Sequence, residues 1–230
     1  MKTVGIIGGL GPETTSKFYL EIIFGCYERN KVSKPPILIW NVPLKYEIEK
    51  DLIVDAKGEE RYIPYLIDAA KRLEKGGADF LVMPCNSLHI FIDKIRNSVK
   101  VPVLSIVEET VKFLKYKRVS KVGILASATL LKHKLYEDTF KKENIEQIVP
   151  EKTDQEKIGI LINKLVLNEY SDKDKAELLN IIGRLKKNDL KSIILACTDL
   201  QLLVRHNSEL MIFDTMKIFA EATVDKILEQ

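Results

Sequence analysis

Cysteine is scarce in this chain. The three in 230 residues, Cys26, Cys85 and Cys197, are too few and too scattered for a disulfide framework or a cysteine-based zinc site. Histidine is equally rare. His89, His133 and His206 have no matching acidic or thiol cluster, so no metal is expected. No stretch approaches the roughly 18 uncharged apolar residues of a membrane span, and no membrane partner is expected. The apolar run at the N-terminus passes straight into Gly8-Gly9-Leu10-Gly11-Pro12 without a small-residue cleavage site. It reads as a first buried strand rather than a signal peptide, which makes the cytoplasm the expected compartment. An excess of one charge is also missing. The net charge is +3 although 30% of residues are charged, and the signs are interspersed, as in Ser171-Asp172-Lys173-Asp174-Lys175. With no basic block alternating with aromatics, nucleic acid is not an expected partner. An apolar fraction of 46% excludes large-scale disorder.

What is present is an alternation of short apolar runs with longer helical periods. Thr3–Ile7, Pro36–Val42, Phe80–Met83 and Val101–Ser105 read as strands. Between them come a helix opened by Pro12, one with Ile63, Leu66, Ile67, Ala70 and Leu73 on one face and Gly76-Gly77 at its end, and one near His89–Asn97. The second half repeats the plan: strand Lys121–Leu125, helix Leu130–Lys142, strand Ile145–Val149. Two helices follow, opened by the capping boxes Thr153…Glu156 and Ser171…Asp174. Strands Ser192–Leu195 and Met211–Phe213 and a closing helix from about Thr215 complete it. Such alternation predicts an α/β fold with mostly parallel sheets covered by helices.

The repetition reaches local sequence. Val4-Gly5-Ile6-Ile7-Gly8 parallels Val122-Gly123-Ile124-Leu125-Ala126, and Phe80-Leu81-Val82-Met83-Pro84-Cys85-Asn86 parallels Ile193-Ile194-Leu195-Ala196-Cys197-Thr198 at nearly the same spacing. Two similar domains are therefore expected, Rossmann- or flavodoxin-like and related by a pseudo-twofold. Residues 1–105 plus about 207–230 form one and 106–206 the other, with a cleft between the carboxyl ends of their sheets.

Cys85 and Cys197 each follow a buried-strand run and precede a polar pair, Asn86-Ser87 and Thr198-Asp199, of good helix N-cap residues. At such a junction free N–H groups and the helix dipole are expected to lower a thiol pKa. If the halves face each other, so do the sulfurs. Two identical acid/base groups on opposite sides of one carbon suit inversion of a stereocentre, one removing a proton while the other delivers one. Cys26, inside a helical stretch after Ile22-Ile23-Phe24-Gly25, reads as core filler.

Asn86, Ser87, Thr198 and nearby N–H groups are candidates for holding a substrate carboxylate, and Ser127 and Thr129, after the second half's first strand, are a symmetric candidate for such contacts. Asp199 is a candidate for orienting a thiol or a substrate ammonium, although a lone acidic residue in a first turn is as readily explained by the helix dipole. Three other readings remain. A Cys–His hydrolase would use His89, four residues after Cys85. A binding protein would keep the fold without catalysis. A nucleotide-binding oxidoreductase would use the Gly9-x-Gly11 turn, but the third small residue is missing and residues 30 to 46 contain no Asp or Glu for a ribose.

These residues resemble the aspartate/glutamate racemase family of cofactor-independent, two-cysteine racemases. Met83-Pro84-Cys85-Asn86-Ser87-Leu88-His89 and Ala196-Cys197-Thr198-Asp199 look like that family's two signatures, and Gly8-Gly9-Leu10-Gly11-Pro12 and Phe213-Asp214-Thr215 also match. The resemblance implies an interdomain site, Cys85 and Cys197 as catalytic acid/base pair, Leu10 beside the substrate, a small amino acid as substrate, no cofactor, and a homodimer. The aspartate branch fits best, since glutamate racemases typically carry histidine where Asp199 stands. Members acting on aspartate often have an Asp-Arg pair after the second strand, and here that stretch is Asn41-Val42-Pro43-Leu44-Lys45-Tyr46-Glu47. A family lysine in the helix after Thr153 has Lys164 as its nearest counterpart. Aspartate, then glutamate, are the substrates this implies. A member acting on another amino acid, or only binding one, is the alternative.

Overall fold

The strand Val4–Gly8 (β1) is buried at every position, as a central parallel strand covered on both faces must be. In the structure, a computed structural model describing residues 1–48, 51, 57–204 and 210–229, β1 pairs in parallel with Ile37–Asn41 (β2) and Phe80–Val82 (β3). The second sheet centres likewise on Lys121–Leu125 (β4), flanked in parallel by Glu146–Ile148 (β5) and Ser192–Leu195 (β6). The strand orders β2-β1-β3 and β5-β4-β6 correspond, and Met211–Asp214 (β7) extends the second sheet beside β6. The chain thus forms two parallel sheets flanked by helices.

Helices Pro12–Arg29 (α1), Ile63–Lys75 (α2), Ile92–Arg96 (α3), Ile106–Tyr116 (α4), Ala128–Lys132 (α5), Glu137–Lys142 (α6), Lys152–Val166 (α7), Asp172–Lys186 (α8) and Thr215–Leu228 (α9) cover the sheets. Pro12 opens α1 and Gly76 closes α2. The Ser171–Asp174 capping box forms, Asp174 also accepting from the Ser171 backbone N–H at 2.9 Å. Asp214 caps α9 by accepting from the N–H groups of Met216 and Lys217.

Three expectations need correction. Val101–Ser105 is not a strand. Only Val103 bridges Leu81, because Pro102 has no N–H to donate and Ser105 already serves as the buried N-cap of α4, its side chain accepting from Glu108 N–H. The Thr153…Glu156 box does not form. The chain turns helical directly after Pro150 and Glu151, so Thr153 lies inside the first turn. Leu130–Lys142 is two helices, since Lys134 is left-handed at φ 52°. That break carries Tyr136 into the interior, where it is 0% exposed.

The closing segment is shared between the halves. Strand β7 lies in the second sheet, while α9 packs on α1 and α4, with the Phe18 and Phe219 rings stacked at 5.6 Å. One continuous core runs from Val4, Ile6 and Phe80 through Phe219 to Val122, Ile124 and Ile194. The expected boundary between 206 and 207 lies outside the described residues, as does His206. Among the described residues no helix is long and apolar enough to cross a membrane.

Candidate active site

Strands β1, β3, β4 and β6 each release their chain at the carboxyl end into one cavity. The turn after β1 supplies Leu10 and Gly11, the segment after β3 supplies Cys85, Asn86, Ser87 and Leu88, that after β4 supplies Ser127 and Thr129, and that after β6 supplies Cys197, Thr198 and Asp199. Tyr62 and the α7 residues Ile162 and Val166 complete the wall. The space between these residues is about 590 Å³ and includes open solvent at its mouth. Cys85 is half-buried and Cys197 buried. Cys26 lies in the core between α1 and its neighbours, 0% exposed.

Of the sequence candidates, Leu10, Cys85, Asn86, Ser87, Ser127, Thr129, Cys197, Thr198 and Asp199 all border this cavity. Lys164 does not. Its ammonium sits 2.6 Å from Asp174, because a residue two positions from Ile162 points roughly 200° round the helix axis, toward the opposite face. Tyr62, Ile162 and Val166 were not anticipated. An i, i+4 apolar pair on an amphipathic helix is the ordinary signature of core packing, and only the docking of α7 turns that face toward the cavity.

The expected capping by Asn86 and Asp199 is not what the structure holds. Cys85 and Cys197 lead into single 3-10 turns, Ser87–Phe91 and Leu200–Leu202, without side-chain caps. The Asn86 amide instead donates to Thr215 Oγ1 at 2.9 Å and accepts from Tyr136 O–H at 2.7 Å, while Thr215 donates to the Leu195 carbonyl at 2.7 Å. This buried chain ties the loop after β3 to the second sheet. Ser87, after β3, and Ser127, after β4, share a hydroxyl hydrogen bond of 2.8 Å, and Ser127 also accepts from Leu130 N–H.

Asp199 accepts from Thr14 O–H at 2.8 Å and faces Cys197 Sγ at 3.7 Å. Burial raises its carboxyl pKa, with the Thr14 bond opposing. Burial also pushes the Cys197 thiol well up, and the nearby Asp199 charge, then the Cys85 charge, add to that. The lowering expected from a helix dipole is therefore reversed at Cys197. A single 3-10 turn offers little dipole, and desolvation with a neighbouring carboxylate dominates.

His89 is 1% exposed. Its Nδ1 meets the Cys85 carbonyl oxygen at 2.7 Å and its Nε2 accepts from Ile106 N–H at 3.1 Å, a pattern that requires the neutral tautomer protonated on Nδ1. Burial holds its pKa down to about 4. The ring reaches the carbonyl of Cys85, and both nitrogens are engaged away from the sulfur, which disfavours the Cys–His hydrolase. Among the described residues, no group of three or more His, Cys, Asp or Glu side chains is placed to hold a metal ion.

The Gly9-Leu10-Gly11 turn has a steric reason. Gly11 has φ 93°, and a Cβ there would lie 3.2 Å from Asp199 Oδ1. Gly77 has φ 94° but nothing within 4 Å of such a Cβ. Gly77→Ala is expected to cost about 1–2 kcal/mol for the backbone alone, and Gly11→Ala measurably more because Asp199 must also shift. Urea denaturation of the two variants checks this, and equal losses would remove the Asp199 contact from the account.

Residues 7–223 match the family model described as Asp/Glu/Hydantoin racemase. The broad specificity amino-acid racemase RacX of Bacillus subtilis (strain 168) is 27% identical over 230 residues, spanning 98% of both chains. The crystal structure of an aspartate racemase homologue from Pyrococcus horikoshii OT3 superposes with a TM-score of 0.80 at 26% identity, covering 100% of each chain. The aspartate racemase of Picrophilus torridus has the same fold, with a TM-score of 0.82 at 21% identity over 99% of this chain and 94% of that one. The continuous match across both sheets shows that this chain belongs to the Asp/Glu/hydantoin racemase family and is an isomerase of that family.

Proposed function

We propose that the protein is an amino-acid racemase that inverts Cα by proton transfer between Cys85 and Cys197, without pyridoxal phosphate. The observation that carries this reading is that the two thiols border one cavity from equivalent positions, one after β3 and the other after β6. Cys85 as thiolate takes the α-proton from one face, and the Cys197 thiol gives its proton to the other. Turnover in one direction leaves Cys85 as thiol and Cys197 as thiolate, and the reverse reaction restores them. The raised pKa of Cys197 supports its assignment as the resting acid.

Ser87, Ser127 and Thr198 are placed in this reading as hydroxyl partners for the substrate α-carboxylate, with the Asn86 and Thr129 backbone beside them. Asp199 takes the ammonium, whose charge would offset the burial that raises the carboxyl pKa. Hydrogen bonds to the carboxylate lower the energy of the carbanion as charge moves onto it. A homodimer, implied by the family resemblance, and the cytoplasm as compartment, expected from the N-terminal sequence, belong to the same reading. Exposed Phe24, Tyr27 and Val32 would suit burial against a second copy.

Reduced protein incubated in deuterated water with a panel of L-amino acids should place deuterium at Cα of at least one of them and generate its D-enantiomer, followed by NMR and chiral chromatography. Binding without any exchange across the panel would replace the racemase by the noncatalytic binding protein.

A further inference from the structure

The lining of the cavity divides chemically. Beside the hydroxyl residues stand Leu10, Tyr62, Leu88, Ile162 and Val166. Tyr62, Leu88 and Ile162 are at most 3% exposed, so this apolar part is built into the packing of three separate elements. Among the described lining residues there is no Lys, Arg or His, and Asp199 is the sole carboxyl.

We infer that the site takes an α-amino acid with an uncharged aliphatic side chain, and that Ile162 and Val166 on α7 determine this specificity. The inference rests on the racemase reading for its reaction but not for its binding. An aspartate or glutamate side chain would bring a second carboxylate against an apolar wall, and a buried charge without a partner is strongly disfavoured. Lys164, the nearest cation on α7, is on the far face and paired with Asp174 at 2.6 Å. Among the described lining residues a lysine side chain would have only Asp199 to meet, and the α-ammonium needs that group. Aliphatic carbons, in contrast, gain from desolvation, and one methylene in a fitted pocket is worth about 10–200-fold in discrimination.

The test separates binding from chemistry. Isothermal titration of Cys85→Ser with L-methionine, L-leucine, L-aspartate, L-glutamate and L-lysine reads the side-chain preference without turnover. α-Proton exchange of the wild-type protein with the same five reads the reaction. Methionine or leucine binding at least about tenfold more tightly than the charged three, with Ile162→Ala losing most of that advantage, is the expected result. Equal or tighter binding of aspartate, glutamate or lysine, or a preference that Ile162→Ala leaves intact, would overturn the inference. If the aliphatic preference is present and no wild-type exchange occurs, the racemase reading fails while the specificity stands.

Discussion

Replacing Cys85 or Cys197 by serine is expected to lower racemisation by about 10²–10⁴-fold, the range for losing one positioned acid or base, while Cys26→Ala leaves it nearly unchanged. A serine hydroxyl has the shape of the thiol and is somewhat smaller, but it is far too weak an acid to replace it. The two losses should differ in kind. Cys85→Ser removes the thiol assigned as resting base and leaves Cys197, which burial and Asp199 hold protonated. Exchange of either enantiomer should then nearly vanish. Cys197→Ser leaves Cys85 able to take the α-proton of the enantiomer that faces it and return a deuteron to the same side. Exchange should continue there with retained configuration. Chiral chromatography combined with NMR of the α-proton reads both quantities. Full racemisation in either variant would end the two-thiol mechanism. Cys26 is a control for thiol loss alone, because it is buried in the core beside Ile22 and Val224 and borders no part of the cavity.

The positions of these two sulfurs were legible because each terminates a continuous apolar run at the same point of a repeated plan. A buried parallel strand has a fixed polarity, so whatever follows it emerges at the carboxyl edge. Strand order then did the rest, since β3 and β6 both neighbour the central strand of their sheet. What stayed hidden depended on packing between elements. Ile162 and Val166 show the same spacing as the core-facing Ile158, Leu161 and Leu165 of the same helix, and no periodicity distinguishes the wall of a cavity from the wall of a core. Lys164 was placed by its nearness in sequence to a family position, whereas helix rotation decides its direction. The sign of the Cys197 shift is hidden in the sequence for a related reason. A strand followed by polar residues promises a helix dipole, but the length of the helix and the burial of the thiol are tertiary properties. Asn86 shows the same limit. Its residue type suits a cap, yet a partner 129 residues away, Thr215, takes its amide.

Acidification from pH 6.5 to 4 should destabilise the native protein through His89, and His89→Gln should remove that component. In the folded chain burial holds the imidazole neutral down to about pH 4, against an ordinary value of 6.5. The unfolded chain binds the proton from about pH 6.5 downward. Between these limits the unfolded state carries more protons, so stability rises with pH across the window. His89 therefore imposes no penalty above pH 6.5 and a growing one as pH falls toward 4, of about 3 kcal/mol at the lower end. The ring cannot relieve it by accepting a proton in place, because Nε2 receives the Ile106 N–H and protonation would set two donors against each other at the N-terminus of α4. The glutamine variant loses native hydrogen bonds and should be less stable at neutral pH. Its unfolding free energy from urea titrations should nevertheless fall less steeply between pH 6.5 and 4, and the gap to wild type should narrow by most of that 3 kcal/mol. The carboxylates contribute to both proteins alike and cancel in the comparison. Parallel stability curves for the two would show that His89 is protonated in the native state, and with it the neutral-tautomer link between the Cys85 carbonyl and α4 would fall.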